Sequence, residues 1–249
     1  RFMCVKSNVI CSDHVAINSF NIYVKAIKYL AYFLSDKIAV LTDNDKNIIE
    51  RVVRKSNKVN VIRNFSSYEV NKYDHEYINR EKIFLSIGRF TYQKNQERLL
   101  KIWKKFPSNG WRLVLIGSGE DEDYLREYIS KANIENVELI SPTLNIDIWY
   151  QKASVFLMTS RYEGLPMVLI EAKSFGVPVI AFDCQTGPRK VINNDGFLVN
   201  YQDDDSFSNK MLEITNDKIR SDLSEKAFLN ARQYSKDVIY SQWLNIFNR

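Results

Sequence analysis

Two glutamates at the ends of one short segment are the side chains of this sequence best placed for chemistry. Glu163 is followed by Gly164 and Pro166, and Glu171 comes directly after the apolar run 167–170. The pattern indicates the junction of a buried strand and an apolar helix, and Pro166 suits the first helical turn, where its missing N–H costs nothing. A carboxylate within so apolar a helix is costly to bury unless a polar group meets it, and a ligand is one candidate for that group.

Two cations follow another apolar run. Arg89 and Lys94 lie in the segment 88–95, which begins with Gly88 and comes directly after the candidate strand 83–87. In open parallel sheets, ligands bind beyond the carboxyl ends of the strands. Arginine offers a planar fork of N–H donors and lysine a mobile point charge, and both suit phosphate groups. The pair therefore indicates an anion site, although two surface cations on a loop would give the same pattern.

Glycines mark two further strand ends. Gly117 and Gly119 follow the candidate strand 112–116, and the Gly-Pro-Arg segment 187–189 follows the candidate strand 177–182. Glycine lets backbone amides approach a ligand closely, but such glycines also occur in ordinary tight turns. Taken with the cations, these loops predict a site for an anionic ligand of several parts across one edge of the sheet.

His14 and Arg161 are two further candidates. His14 follows the apolar run 9–11, and a histidine at a strand end can act as an acid, a base or a hydrogen-bond donor near neutral pH. A helix-capping histidine, or one exposed in a loop, is the simpler interpretation of that position. Arg161, just ahead of Glu163, could contact a phosphate or pair with a carboxylate.

Short apolar runs alternate with longer charged runs from residue 36 onward. Candidate strands are 37–41, 59–63, 83–87, 112–116, 137–140, 155–158 and 177–182. Candidate helices are 44–55, 96–106, 122–131, 146–152 and 166–175, and the chain beyond residue 204 is predicted to be helical. Nearly continuous apolar strands that alternate with helices are typical of an α/β fold with a doubly wound parallel sheet, covered on both faces.

The length of 249 residues suits one large domain or two small ones. A polar stretch near 66–80 follows one βαβ unit and precedes a longer series of them. The first 65 residues are too few for a complete doubly wound domain, so we expect the chain to begin partway through one. The expected organisation is 1–68 as the C-terminal part of an N-terminal Rossmann-like domain, 69–80 as a linker, 81–233 as a second domain and 234–249 as a final helix.

Composition limits the classes of function. The hydrophobic fraction of 45% supports a packed core, and no apolar run approaches the roughly 20 residues of a membrane-spanning helix. The three cysteines, Cys4, Cys11 and Cys184, lack metal-ligand spacing, and their odd number fits a reducing compartment such as the cytoplasm. The net charge of +5 is mild, and no zinc-finger, RNP or long basic tract indicates nucleic acid as a partner.

A set of short motifs occurs in order along the chain. They are Gly88-Arg89 with Lys94-Asn95, Gly117-Ser118-Gly119-Glu120, Ser160-Arg161-Tyr162-Glu163-Gly164-Leu165-Pro166, Glu171-Ala172, Gly176-Val177-Pro178-Val179-Ile180, Gly187-Pro188-Arg189 and Gly196-Phe197-Leu198-Val199. The set resembles the retaining glycosyltransferases of the GT-B fold called family 4, or glycosyl transferases group 1. The resemblance extends from about residue 9 to the C-terminus. It implies a GT-B architecture in which 81–233 binds the donor and 1–68 is part of the acceptor-side domain.

The resemblance implies a role for each matched residue. Arg89 and Lys94 would bind the diphosphate of a nucleotide-sugar donor. Glu163 would hold the hydroxyls of the transferred sugar, and Glu171 would accept hydrogen bonds from the ribose hydroxyls. His14 would lie near the donor sugar, on the N-terminal side of the cleft. The remaining residues of the implied donor site are Gly88, Gly117, Gly119, Gly164, Leu165 and Pro166.

The resemblance further implies a hexosyltransferase that acts with retention in polysaccharide or lipopolysaccharide synthesis. Its donor would be a UDP-sugar rather than a GDP-sugar, and its acceptor a glycan or a lipid-linked acceptor. The nucleotide sugar is a substrate, so no cofactor is expected. Fixed cations and helix N-terminal amides would stabilise the leaving diphosphate without a metal ion. The acidic run 203–205 begins a predicted helix, and we expect a helix cap there rather than a metal site.

The sequence departs from the family pattern in ways that limit this reading. The family's N-terminal glycine-rich loop and most of the acceptor-binding domain are absent, so we expect this chain to bind donor weakly and to transfer sugar poorly or not at all. The Ser-Pro-Thr loop 141–143 lacks the glycine that relatives often carry near the base. Two alternatives are a sugar-nucleotide epimerase of the same fold and a non-catalytic module that keeps the fold. The cation pair and the two-glutamate motif favour a transferase.

The segment 18–35 is predicted to be a helix rich in apolar and aromatic residues, with Lys25 and Lys28. A basic, aromatic-rich helix can lie on a membrane surface, here the inner face, where a lipid-linked acceptor would be found. A helix packed within the N-terminal domain is the commoner explanation of such a pattern. The resemblance implies that the final helix, 235–248, returns to pack on that domain.

Overall fold

The computed structural model describes residues 8–14, 17, 20–54, 56–70, 80–185 and 187–248. The chain divides into two compact units, which are described separately. The first unit comprises Arg1–Phe65 with Lys236–Arg249, and the second comprises Ser66–Ser235. Most of the stretch predicted as a linker, 71–79, lies outside the described residues.

The first unit contains a three-stranded parallel sheet. Its elements are β1 (Ile10–Asp13), α1 (Ile22–Leu34), β2 (Lys37–Val40), α2 (Asp43–Val53) and β3 (Val59–Val61), followed at the other end of the chain by the C-terminal helix (Lys236–Phe247). The strands lie in the order β1-β2-β3. Ile239 and Ile246 of the C-terminal helix pack with Ile62, just beyond β3, in a small buried cluster.

Helix α1 begins later than the sequence predicted. The side chain of Asn21 accepts a hydrogen bond from the backbone N–H of Val24 at 3.0 Å, which caps the helix so that Ile22 is its first residue. Lys28 lies on the packed side of the helix, where its Nζ pairs with Asp13 at 2.7 Å. The outward face is apolar, and its exposed large side chains are Ile22, Tyr23, Ile27, Leu30, Phe33 and Leu34.

The second unit is built on a six-stranded parallel sheet. Its strands are β4 (Glu81–Ile87), β5 (Arg112–Ile116), β6 (Val137–Ile140), β7 (Ala153–Met158), β8 (Val179–Asp183) and β9 (Gly196–Asn200). Its helices are α3 (Gln96–Lys105), α4 (Glu122–Lys131), α5 (Ile146–Lys152), α6 (Met167–Ser174), α7 (Pro188–Val191), α8 (Asp204–Ile214) and α9 (Asp217–Ala231), and the C-terminal helix of the first unit is α10. The sequence prediction of an α/β fold with a doubly wound parallel sheet is confirmed.

The strand order across this sheet is β6-β5-β4-β7-β8-β9. The order reverses direction between β4 and β7, the position at which open α/β sheets form their ligand crevice. All six residues of β7 are buried, because helices cover both faces of the sheet. Alternate residues of the strands enter separate cores, since Phe84 and Leu157 belong to one buried cluster and Leu85 and Phe156 to the other.

Helix α6 begins one residue later than the sequence predicted, so Pro166 lies just before the helix rather than in its first turn. Its ψ of 94° is extended rather than helical, so Pro166 is the residue that precedes α6 and Met167 is the first helical residue. The backbone N–H of Leu169 closes the first turn on the carbonyl of Pro166 at 3.1 Å. The prediction that Pro166 lies within the first turn is therefore wrong, whereas the prediction of a buried apolar helix is confirmed by Leu169 and Ile170, which are fully buried.

Asp203 confirms the expected helix cap. Its side chain accepts a hydrogen bond from the backbone N–H of Ser206 at 3.0 Å, at the start of α8. This bond lowers the pKa of the Asp203 carboxyl. Within the described part of the chain, no helix is both long and apolar enough to cross a membrane.

Candidate functional site

Four loops follow the carboxyl ends of β4, β5, β7 and β8, which lie at one edge of the sheet because the strands are parallel. We call residues 88–95 the cation loop, 117–121 the glycine loop and 159–166 the glutamate loop. The fourth is the β8–α7 loop, of which residues 184, 185 and 187 are described. The cation loop and the glutamate loop follow the two central strands, so they flank the crevice position of the sheet.

Hydrogen bonds join the cation loop to the glutamate loop. The side chain of Asn95 donates to the carbonyl of Thr159 at 3.3 Å, and the hydroxyl of Thr159 donates to the carbonyl of Asn95 at 3.1 Å. The backbone N–H of Arg161 donates to the carbonyl of Gln93 at 2.8 Å. The side chain of Gln93 in turn donates to the carbonyl of Tyr162 at 3.0 Å. The two loops therefore form one joined surface.

Lys94 and Glu163 meet across this junction. The Nζ of Lys94 donates to Oε1 of Glu163 at 2.7 Å, and their side chains are only 17% and 7% exposed. The stem of Lys94 crosses Gly88, where an added Cβ would lie 3.3 Å from Cε of Lys94. The sequence predicted both residues for the site but not their pairing. A lysine ammonium has three donors, so the pair leaves N–H groups of Lys94 for another acceptor.

Arg89 is exposed at the start of the cation loop. Its carbonyl accepts a hydrogen bond from the side chain of Gln96 at 2.9 Å, which fixes the backbone of the loop. Among the residues that the structure describes, its guanidinium makes no hydrogen bond or ion pair. Arg89 therefore offers a fork of N–H donors at the exposed start of the loop that also carries Lys94.

Arg161 has a different environment from the one that its sequence position suggested. Its guanidinium lies 4.1 Å from the centre of the Tyr92 ring, and its Nε donates to the carbonyl of Tyr92 at 3.0 Å. These contacts hold the cation loop against the glutamate loop. Arg161 therefore joins the two loops, and it forms no ion pair with a carboxylate in the part of the chain that the structure describes.

The glycine loop packs directly on the cation loop. A Cβ at Gly117 would lie 2.0 Å from the carbonyl oxygen of Gly88, and one at Gly119 would lie 2.3 Å from the carbonyl oxygen of Phe90. The backbone N–H of Phe90 donates to the carbonyl of Ser118 at 2.8 Å. The two glycines are thus required because the two loops lie in close contact. The sequence alone had left open whether they serve a ligand or an ordinary tight turn.

The β8–α7 loop packs on the glutamate loop in a similar way. Gly187 has a φ of +75°, and a Cβ there would lie 2.8 Å from the carbonyl oxygen of Gly164 and 3.0 Å from Cβ of Glu163. The backbone N–H of Glu163 also donates to the carbonyl of Gln185 at 3.4 Å. Arg189 does not join the site through its charge, because its guanidinium is bonded to the carboxylate of Asp183.

Gly164, Leu165 and Pro166 connect Glu163 to α6. A Cβ at Gly164 would meet no atom within 4 Å, so this glycine is not needed for packing. Leu165 is partly buried against the core cluster of that side of the sheet. The segment leads directly into the N-terminus of α6, where unpaired backbone N–H groups favour an anion or another acceptor.

Glu171 has a protein partner that the sequence did not reveal. The phenol of Tyr150, on α5, donates to Oε2 of Glu171 at 2.9 Å. Burial raises the pKa of the Glu171 carboxyl, and the bond from Tyr150 opposes that shift. Tyr150 is therefore the polar group that offsets the cost of burying the Glu171 carboxylate in apolar surroundings. Its position 21 residues earlier in the chain gave no sequence signal of the contact.

Three buried polar atoms in these loops lack a hydrogen-bond partner among the described residues. They are Thr91 Oγ1, Gln96 Oε1 and Ser160 Oγ. Buried polar atoms in folded proteins are normally satisfied by protein, by water or by a ligand. Their location in the cation loop, at the start of α3 and in the glutamate loop marks this edge of the sheet as the place where further partners are needed.

A buried ion pair joins α6 to the segment that leads into β9. Lys173 of α6 and Asp195, just before β9, are both fully buried and bonded to each other. Nζ of Lys173 also donates to the carbonyl of Val191 at 2.6 Å, and Oδ2 of Asp195 accepts from Asn230 at 3.0 Å. Burial lowers the pKa of Lys173, and Asp195 opposes that shift. The sequence pattern had not marked either residue.

His14 belongs to the first unit. It is exposed directly after β1, and its Nε2 lies 3.0 Å from the hydroxyl of Ser12. Its predicted place near a donor sugar stays a prediction. Among the described residues, no cluster of three or more His, Cys, Asp or Glu side chains could hold a metal ion.

Comparisons with known proteins agree on one family. The model of the family described as Glycosyl transferases group 1 matches residues 68–233. The amylovoran biosynthesis glycosyltransferase AmsD of Erwinia amylovora is 40% identical over 250 residues, which cover 98% of this chain and 71% of AmsD.

Solved structures give the same fold. The crystal structure of TarM superposes with a TM-score of 0.83 at 24% identity, and the match covers 98% of this chain and 51% of TarM. Anabaena Alr3699/HepE, crystallised in complex with UDP-glucose, superposes with a TM-score of 0.80 at 16% identity over 95% of this chain and 71% of that protein. The chain therefore spans about half of TarM and just over two thirds of the other two proteins.

Proposed function

Because the chain belongs to the glycosyl transferases group 1 family, we propose that it contains the nucleotide-sugar-binding domain of a GT-B glycosyltransferase in polysaccharide biosynthesis. The observation that carries the proposal is the joining of the cation and glutamate loops at the central crevice of the sheet. This contact brings Lys94 and Glu163 to 2.7 Å, so one cation and one carboxylate occupy adjacent positions of a partly enclosed site.

The proposed division of roles is the one that the family resemblance implies, and the chemistry of these side chains supports it. Arg89 and Lys94 bind the diphosphate, because an exposed guanidinium fork and an ammonium with free donors both suit phosphate oxygens. Glu163 accepts hydrogen bonds from the hydroxyls of the transferred sugar, next to the amides of Gly164 and Leu165. Gly88, Gly117 and Gly119 allow the backbone to approach, and Glu171 accepts from the ribose hydroxyls.

The reaction is the transfer of a hexosyl group with retention, as in family 4. The bond between the anomeric carbon and the diphosphate oxygen breaks, and negative charge grows on that oxygen. Cations and helix N-terminal amides held at this position lower the barrier, since they are already oriented when the charge develops. The leaving phosphate takes the proton of the acceptor hydroxyl as that oxygen attacks the same face of the sugar. His14 is proposed to lie near the donor sugar during this step.

The proposed donor is a UDP-sugar, and the cations of the site make a divalent metal unnecessary. HepE has been crystallised with UDP-glucose, and a mutant of S. aureus TarM with fondaparinux, alpha-GlcNAc-glycerol and UDP. The proposed acceptor is a glycan or a lipid-linked glycan, in agreement with the amylovoran biosynthesis role in the name of AmsD. We place the reaction in the cytoplasm.

Calorimetric titration of UDP, GDP and their sugars into the chain, in the presence of EDTA, tests this proposal. We expect binding of UDP and UDP-sugars without a metal ion. The absence of nucleotide binding would instead favour a non-catalytic module that keeps the fold. A chain that binds UDP-sugar and inverts a hydroxyl of the sugar, without transfer, would be an epimerase.

The Lys94→Ala variant is expected to bind UDP at least about tenfold more weakly, because it loses a charge-assisted hydrogen bond to the diphosphate. Lys101→Ala is the matched control. Lys101 lies on α3 in the same unit and pairs at 2.5 Å with Glu97, where its side chain is 52% exposed. We expect its UDP affinity to equal that of the unsubstituted chain. If Lys94→Ala and Lys101→Ala bound UDP with equal affinity, Lys94 would not be part of the diphosphate site.

A peripheral membrane contact is a separate proposal that rests on α1. The outward face of this helix is apolar, and such a face can enter the boundary of a lipid bilayer. The Lys28–Asp13 pair engages one of its two lysines, so we expect apolar insertion rather than charge to dominate. Sedimentation with vesicles of anionic and of neutral lipids should then recover similar amounts of protein. Ile27→Glu should abolish recovery, and no recovery of the unsubstituted chain would refute the contact.

A further inference from the structure

We infer that Tyr150 is a positioning residue of the donor site, which keeps the Glu171 carboxylate ionised and oriented so that it can bind a vicinal diol. The inference deepens the proposed function and rests on it, because the diol is the ribose of the nucleotide. The juxtaposition that carries it is the 2.9 Å hydrogen bond from the Tyr150 phenol to Oε2 of Glu171.

The ring of Tyr150 is held in place by its neighbours. It is fully buried and stacks on Phe175, with ring centres 5.3 Å apart and planes 17° apart. Tyr68 meets it edge-on at 5.9 Å, and Phe156 lies at 6.1 Å. Because three aromatic rings fix its plane, the phenol presents its O–H at one point in space, which is the carboxylate of Glu171.

The direction of the hydrogen bond is set by the acidity of the two groups. Burial and the Glu171 charge raise the pKa of Tyr150 well above its usual value, so the phenol remains protonated and is the donor. A hydrogen bond to the charged form of a carboxyl favours that form. The bond therefore opposes the upward pKa shift that burial imposes on Glu171. Tyr68 is the other titratable group that packs against Tyr150, and among the described residues no charged side chain shifts the pKa of Glu171.

The bond also gives the two carboxylate oxygens of Glu171 different roles. Oε2 is occupied by Tyr150, and within the described part of the chain Oε1 makes no hydrogen bond. An ionised carboxylate oxygen has lone pairs for two donors, the number that the 2′- and 3′-hydroxyls of a ribose supply. A protonated carboxyl would present an O–H in that place, so loss of the charge weakens binding of the diol.

The test is the pH dependence of UDP binding by the 249-residue chain. Tyr150→Phe removes the donor and retains the stacked ring. At pH 8 we expect the UDP affinities of the two proteins to lie within about threefold of each other. As the pH falls, the variant should lose UDP affinity at a higher pH than the unsubstituted chain. We expect a midpoint about one pH unit higher, and up to about tenfold weaker binding below both midpoints.

Tyr234→Phe is the matched control. Tyr234 is a fully buried tyrosine of the same core cluster, and its phenol donates to the carbonyl of Lys190 at 3.4 Å. Its acid midpoint should equal that of the unsubstituted chain. Glu171→Gln cannot titrate at position 171, so it identifies how much of the loss of UDP affinity at acid pH is caused by Glu171. Adding Tyr150→Phe to Glu171→Gln should not change the pH dependence of UDP affinity further.

A second variant covers the case in which Tyr150→Phe does not fold. Glu171→Asp moves the carboxylate one methylene away from Tyr150 without altering the ring cluster, and it should raise the acid midpoint in the same direction. Inorganic pyrophosphate, which has no diol, should bind the unsubstituted chain and Tyr150→Phe equally. If the unsubstituted chain binds no UDP, the proposed function fails. If it binds UDP and neither variant moves the midpoint, the role of Tyr150 fails alone.

Discussion

The Lys173→Met variant is expected to be about 3–5 kcal/mol less stable to unfolding than the unsubstituted chain, the usual cost of breaking a buried ion pair from one side. Both side chains of the Lys173–Asp195 pair are fully buried. Methionine fills most of the volume of the lysine stem, but it leaves Asp195 without its cation. The remaining bonds of that carboxylate, from the N–H of Asn193 at 2.8 Å and from Asn230 at 3.0 Å, do not neutralise its charge.

Urea unfolding followed by circular dichroism measures this effect. Lys226→Met is the control, because Lys226 pairs at 2.5 Å with Asp222 on the surface of α9, where both side chains are about half exposed. An exposed pair of this kind contributes about 1 kcal/mol at most. The double substitution of Lys173→Met with Asp195→Leu should recover much of the loss, since no buried charge is then left. Equal losses for Lys173→Met and Lys226→Met would contradict the importance of burial.

The Gly117→Ala variant is expected to lose about 3 kcal/mol of stability, at the upper end of the range for overpacking. A methyl group at this position would lie 2.0 Å from the carbonyl oxygen of Gly88, which is backbone and cannot rotate away. Either the glycine loop or the cation loop must move. Because the cation loop carries Arg89 and Lys94, we also expect UDP affinity to fall at least about tenfold.

Gly164→Ala provides the comparison for stability. No atom lies within 4 Å of a Cβ at Gly164, so its free energy of unfolding should change by less than about 1 kcal/mol. Urea unfolding and calorimetric titration of UDP are measured on both variants. A Gly117→Ala protein as stable as Gly164→Ala would show that the two loops are not held in close contact.

The sequence was sufficient to predict the features that depend on local pattern. Short apolar runs located β2 to β8, because a strand buried on both faces must be apolar throughout. The same argument placed Arg89 and Glu163 beyond strand ends, where the structure has them. Asp203 was identified as a helix cap from its position alone, since an acidic residue ahead of a helix has a local hydrogen-bond partner.

Long-range pairings could not be predicted in this way. Nothing in the order of residues says that Lys94 reaches Glu163, or that Tyr150 reaches Glu171, because each contact depends on which strands are neighbours. Lys173 looks like any lysine of a helix until Asp195 is placed beside it. The error at Pro166 was local and small, since a proline has the same missing N–H just before a helix as in its first turn.

The Lys94–Glu163 pair has a consequence for product release. On the proposed function, Lys94 contacts both Glu163 and the nucleoside diphosphate that remains after transfer. Because Lys94 pairs with Glu163 at 2.7 Å, its ammonium, which is only 17% exposed, keeps a carboxylate partner when the product leaves. The carboxylate that is proposed to hold the sugar before transfer would thus also lower the cost of releasing the diphosphate after it, so product inhibition would be weaker than with an unpaired lysine.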